Sequence, residues 1–461
     1  MNPVPHLSDI LTWADLYLTP LYVLLAYYIV RHYQKKYYTH AEFRKYIIPA
    51  LMVRIAGCIF LTLLMQFYYH DGDTFSYFTG AHEIWQAFVK HPRIAFEMIL
   101  NNPSNYSAEA SEFAQHMGNS LVSSHVAMFK ISGVVGLFCF GQYLPIAIIF
   151  TLMSFFGTWL IYLVFVKKYP LLWKRLAITT LFIPSTIVWS TAILKEPLCM
   201  FGIGLCFYSL SNLLSRNIST KNILFFLLGS WLLYTIKDYL FYTFLAAAVV
   251  SAYFTFINNL RPLFLKYFIK LVMYVSVISV IIYFFNEPNN VIISEFGKYF
   301  TRADNLQNFM IQTSNEYGGA AYTLPTSDFS SMGILKSFFL SLNVSLFRPY
   351  LWECSNALMI FNFLESFVTT VLVILVLFKL LLGKIKIRNN PLFIFCLVFT
   401  LLLAFMVGYI SFNFGTLIRY KVPFQSFFYS ALIILLSGKQ KKTIPVLKQE
   451  GLQMSLRTAK Q

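Results

Sequence analysis

The sequence predicts an all-α fold, a polytopic membrane helix bundle with about eleven transmembrane helices and further helices lying at the membrane interface in its extracytoplasmic loops. Three observations carry that expectation. Of the 461 residues, 58% are hydrophobic, 18% aromatic and only 12% charged, with a mean hydropathy of +0.63. A soluble domain carries about twice that charged fraction, so the bilayer is the solvent this composition fits. Apolar runs near the length of a bilayer-spanning helix recur along the chain, whereas barrel strands would be shorter and alternate in polarity. Finally, the basic residues gather in every second connecting segment, as the positive-inside rule requires.

The first run, 14–30, follows a segment without Lys or Arg and ends in Arg31, Lys35 and Lys36. This predicts an N-terminus outside and no cleavable signal peptide. Further spans are expected over 46–69, 143–166, 176–192, 196–214, 222–237, 238–258, 267–285, 355–383, 391–411 and 422–437. With that topology, 24 of the 36 Lys and Arg residues fall in the inside segments 31–45, 167–175, 215–221, 260–270, 379–390 and the tail, against two acidic residues, Glu42 and Glu450. The net charge of +17 therefore reflects membrane orientation and not a nucleic-acid partner. Reading 126–141 as a span would place Lys167, Lys168, Lys174 and Arg175 outside, so it is expected to lie at the outer interface, as is 334–349. One transmembrane domain, 1–437, is followed by a basic cytoplasmic tail, 438–461. Long extracytoplasmic loops cover about 70–142 and 286–354. The first holds an amphipathic stretch, Ala81 to Lys90, with Ile84, Trp85 and Phe88 on one side. The six cysteines lack metal-ligand spacing and read as small hydrophobes.

Charged pairs cluster at the outer ends of the expected spans. His70-Asp71-Gly72-Asp73 with Tyr77 opens the first loop. A carboxylate at a low-dielectric boundary suits a general base. The same residues also fit a turn at Asp71-Gly72 followed by an Asp73 N-cap. Lys195-Glu196 and Lys237-Asp238 occupy short outer turns, where a snorkelling ion pair is the plainer reading. Arg348 to Glu353 leads into a span carrying Glu365, and Arg419, Tyr420 and Lys421 enter the last span. Such cations bind phosphate or anchor an interfacial belt. An isolated charge in lipid is costly, and five span ends on one face carrying both signs point to a polar site there. A transporter would instead place charges within spans, where Arg54 and Glu365 are the few present.

In the order of these landmarks the chain resembles the GT-C superfamily of integral-membrane glycosyltransferases, the polyprenyl-phosphate-sugar-dependent enzymes related to protein mannosyltransferases and aminoarabinose transferase. Asp71, Asp73 and Tyr77 match an acidic motif at the start of a large first outer loop. Gly136 to Gly141 matches an interfacial segment ending in Phe-Gly. Phe182-Ile183-Pro184 through Ser190 to Glu196 matches a Pro- and Ser-containing span leading to an acidic residue, and Arg419-Tyr420 with Pro423 matches the final spans. The resemblance covers 46–260 well and the second half loosely. It implies inverting sugar transfer from a polyprenyl-phosphate donor to a lipid-linked glycan, lipid or protein acceptor at the outer face of the plasma membrane. It implies Asp71 or Asp73 as the base, and Lys195, Arg348, Arg419 and Lys421 around the departing phosphate. His70, Tyr77, Glu196, Lys237, Asp238 and Glu353 would orient those groups or bind the sugar. Some such enzymes use a divalent cation, and Asp71 and Asp73 are the carboxylates that would hold one. A Wzy-like polymerase of lipid-linked repeat units and a transporter or flippase are the alternatives.

Overall fold

The computed structural model describes residues 10–38, 41–70, 72–117, 123–260, 262–269, 331–386 and 390–438, with a few isolated positions between 271 and 322. Those residues form an all-helical protein in two compact units, Met1–Phe241 and Tyr242–Gly438. Among the described residues seven helices are long and apolar enough to cross a membrane, so the expected count of about eleven is not reached there.

In the first unit, α1 (Trp13–Tyr37) starts at a capping box in which Thr12 and Asp15 satisfy each other's backbone N–H. A helix through Glu42–Tyr69 contains α2 (Ile47–Leu64) and finishes in a π-turn, Met65–Tyr69, closed by His70 at φ 56°. Gly72, at φ 133°, precedes α3 (Asp73–Lys90). That torsion lies in the region glycine tolerates best. Asp73 is thus the first helical residue, one position inside the N-cap expected for it. The amphipathic reading of Ala81 to Lys90 is met: Ile84 is buried and Trp85 and Phe88 are half-buried.

Helices α4 (Pro92–Leu100) and α5 (Ala108–Ala114) lead to α6 (Ser123–Leu137), which covers most of the 126–141 segment and packs against α3. Gly133 of α6 meets Ile84 of α3, and the Ser132 hydroxyl donates to the Tyr77 carbonyl at 3.1 Å.

Helix α7 (Tyr143–Lys168) is the central element of this unit, touching α1, α2 and α8 (Trp173–Leu181) as well as α10 (Lys195–Leu214). Its approach to α10 is closest at Gly157 and Gly204, where a Cβ on either would collide with the partner's backbone. Small residues at such a crossing let backbones meet where lipid offers no hydrophobic drive for association.

The expected span over 176–192 is not one helix. It is α8, a break at Phe182 and Ile183, then α9 (Pro184–Trp189), followed by non-helical Ser190 to Leu194. Pro184 has no N–H to donate and disfavours helical backbone in the residue before it, which fixes the break. Helix α11 (Thr220–Ile236) packs along α10 and is a shorter apolar helix of 17 residues. The division between units falls within α12 (Asp238–Asn259).

The second unit contains α13 (Ser331–Phe347), α14 (Ala357–Leu381), α15 (Pro391–Ile410) and α16 (Phe414–Leu436). Asn356, Asn390 and Asn413 cap the last three through their side chains. The segment 334–349 is mostly the helix α13, packed on α15. The last expected span, 422–437, begins earlier, at Phe414, and its first turns carry Arg419 and Lys421. The expected span 267–285 lies almost entirely outside the described residues.

Candidate functional site

Three helix starts and one helix end of the first unit meet in a polar cluster. Asp73 opens α3, where its carboxylate lies in the favourable field of the helix N-terminus. Tyr77 is one turn further on the same face and is 1% exposed. Its ring lies 5.5 Å from the His125 ring of α6, and the Lys195 ammonium sits 5.9 Å from its centroid. Lys195 opens α10 and donates to the Ser124 hydroxyl at 2.9 Å. Glu196, the next residue, is fully buried and pairs with Lys237 at the end of α11, the Nζ–Oε1 distance being 3.1 Å.

The charges are graded by depth. The Glu196–Lys237 pair is in the core, Lys195 and Asp73 are half-buried, and His125 is half-buried beside them. Burial and the Lys195 cation hold the His125 imidazole below its usual range, and the Asp73 carboxylate opposes them. A carboxylate, an imidazole and an ammonium thus share one half-buried patch of the first unit. Such a patch can take a proton from a hydroxyl and hold an anion beside it.

Of the residues singled out in the sequence, Asp73, Tyr77, Lys195, Glu196 and Lys237 come together here. His70 ends the π-turn with an exposed side chain, and Asp238 is exposed and accepts from the Tyr239 N–H at 2.8 Å. Asp71 lies outside the described residues. Sequence reasoning missed Ser124 and His125. Their signal was a polar start to an apolar helix.

The second unit holds its own cluster. Arg348 gives its Nε and Nη2 edge to Glu353, with Nε to Oε2 at 3.1 Å. Its guanidinium stacks on the rings of Tyr322 and Phe414 at 4.8 and 5.2 Å. Lys421, 6% exposed, donates to the Arg348 carbonyl at 2.6 Å. Glu365 accepts from Gln425 at 2.5 Å. Arg419 and Tyr420 are half-buried on the same helix as Lys421. Arg348, expected as a phosphate ligand, is therefore committed to a carboxylate in this conformation.

Among the described residues no group of three or more His, Cys, Asp or Glu side chains could hold a metal ion. No protein-family model, curated protein or solved structure matches the chain.

Proposed function

We propose that this protein is a membrane glycosyltransferase, moving a sugar from a polyprenyl-phosphate donor to a lipid-linked glycan, lipid or protein acceptor on the extracytoplasmic face. The observation that carries the reading is the convergence of Asp73, His125 and Lys195 from three separate segments on one half-buried patch. Transfer from a lipid phosphate needs a base for the acceptor hydroxyl and a cation for the charge that grows on the leaving phosphate. Asp73 takes the proton, with Asp71 the other candidate base. Lys195 holds the phosphate, steadied by the buried Glu196–Lys237 pair at the start of its helix.

The test is transfer in vesicles containing the purified protein, a panel of polyprenyl-phosphate sugars and a lipid extract. Asp73→Asn and Lys195→Met should each lower transfer by about 100-fold or more, the scale of a lost acid–base group. Transfer that survives Asp71→Asn and Asp73→Asn rejects the base and puts the polymerase ahead.

A transporter is the second reading, favoured by a fully buried Arg54 next to a broken helix. Intramembrane charge and interrupted helices are what transport sites are built from. Solute uptake by the same vesicles without any sugar transfer would select it.

A further inference from the structure

Arg54 lies in α2, within a membrane-spanning helix, and is 0% exposed. A guanidinium stays protonated in a protein, so a full positive charge sits in the interior of the first unit. Its Nη1 donates to Ser190 Oγ at 2.6 Å and to Ser154 Oγ at 3.1 Å. Neither acceptor brings charge. Ser154 donates onward to Ser190 at 3.0 Å, and Ser190 donates to the Thr186 carbonyl at 2.5 Å, so both hydroxyls are spent. Nε and Nη2 are buried and make no hydrogen bond, and no carboxylate pairs with Arg54 among the described residues.

Those two nitrogens form one edge of the guanidinium, the edge whose parallel N–H groups grip an anion as a fork. Arg348 offers that same edge to Glu353. In Arg54 it faces the interior with nothing to neutralise it. An unpaired buried charge costs several kcal/mol. The surroundings are suited to a guest. Non-helical Ser190 to Leu194 is wholly buried next to Arg54, and such backbone at membrane depth persists where protein encloses it or a polar cavity adjoins it. Gly57, three residues on, presses the helix so close to the break that a Cβ there would stand 2.7 Å from the Ile187 carbonyl oxygen.

We propose that Arg54 is the core of a buried site for a small monovalent anion, a halide or a short carboxylate, held on its Nε and Nη2 edge between α2, α7 and the broken helix. The site is independent of whether the chain transfers sugars or moves a solute. The purified wild-type protein is tested in detergent at constant ionic strength in gluconate, chloride, bromide or acetate. A saturable rise of several degrees in the unfolding midpoint with chloride or acetate, absent in gluconate, is the expected result. Chloride and bromide acting alike identify a halide site, and acetate acting alone identifies a carboxylate site. Arg54→Gln should abolish the dependence. Should that variant fail to fold, crystals of the wild type grown in bromide, or in bromoacetate where acetate alone acts, should show an anomalous peak against the Nε and Nη2 edge. An unfolding midpoint equal in all four salts, or no anomalous peak at Arg54 in crystals holding the bromine analogue of the anion that acts, overturns the proposal.

Discussion

Glu196 and Lys237 show how tightly a pair of charges can bind a fold to itself. Both are in the core, 0% and 7% exposed, and removing one takes a countercharge from the other where water cannot replace it. Lys237→Met is expected to destabilise the protein by about 3–5 kcal/mol, while Lys237→Met with Glu196→Gln recovers most of the loss. Thermal unfolding of both variants in detergent checks this, and equal destabilisation by the single and double changes would refute it. His125 carries a different consequence. Its imidazole is held below the usual value of 6.5, so it is neutral in the fold where an unfolded histidine begins to protonate. The groups around it are Asp73, Lys195 and Tyr77. The stability it contributes is present above pH 6.5 and is lost as the pH falls through its lowered value. Between pH 7 and 5 the wild-type unfolding midpoint should drop more steeply than that of His125→Gln. Residues such as Asp73, Lys195 and Lys237 were legible because charge at the end of an apolar run stands out. His125 was not, since a single weak base in an apolar helix has no partner within its own segment.

At the level of elements, hydropathy and charge located the seven helices long and apolar enough to span, six of them to within about a turn at each end and the first, Trp13–Tyr37, ending two turns beyond the expected 30. The break within the expected span 176–192 was itself written in the chain: Phe182-Ile183-Pro184 carries the breaker, and hydropathy averaged across it hides the interruption. Helix contacts are harder to read, because lipid-facing and protein-facing surfaces are equally apolar. Glycine is the clue that survives. Gly157 of α7 would drive a Cβ into the Met200 carbonyl, whereas a Cβ on Gly136 of α6 would meet the nearest atom at 3.3 Å. Gly157→Ala is therefore expected to cost about 1–3 kcal/mol, and Gly136→Ala clearly less. Unfolding of the two variants side by side decides it, and a Gly136 variant as unstable as the Gly157 variant would contradict the packing.

For the whole molecule, the distribution of Lys and Arg predicts sidedness, which contacts between helices do not report. Five of the six cysteines are buried and Cys354 is half-buried, so a Cys354→Ser background leaves little to label. In that background Lys168→Cys should react with an impermeant thiol reagent only from the cytoplasmic side, and Lys90→Cys only from the outside; the reverse pattern would invert the topology. How the charged clusters form was legible only piecewise, because each needs segments more than 40 residues apart to meet. The attachment of α1 illustrates what such distances entail. Most of that helix is exposed, yet Asp15 is fully buried and its carboxylate accepts from the Leu144 N–H at 2.8 Å. Tyr22 reaches the Phe138 carbonyl at 2.5 Å, and Thr12 reaches Gln142 at 2.6 Å. Helix α1 therefore has its clasp at the start of a helix synthesised more than a hundred residues after it. During biogenesis α1 must wait in the bilayer, its carboxylate served by water or headgroups at the membrane surface, and it docks only when α7 has been inserted.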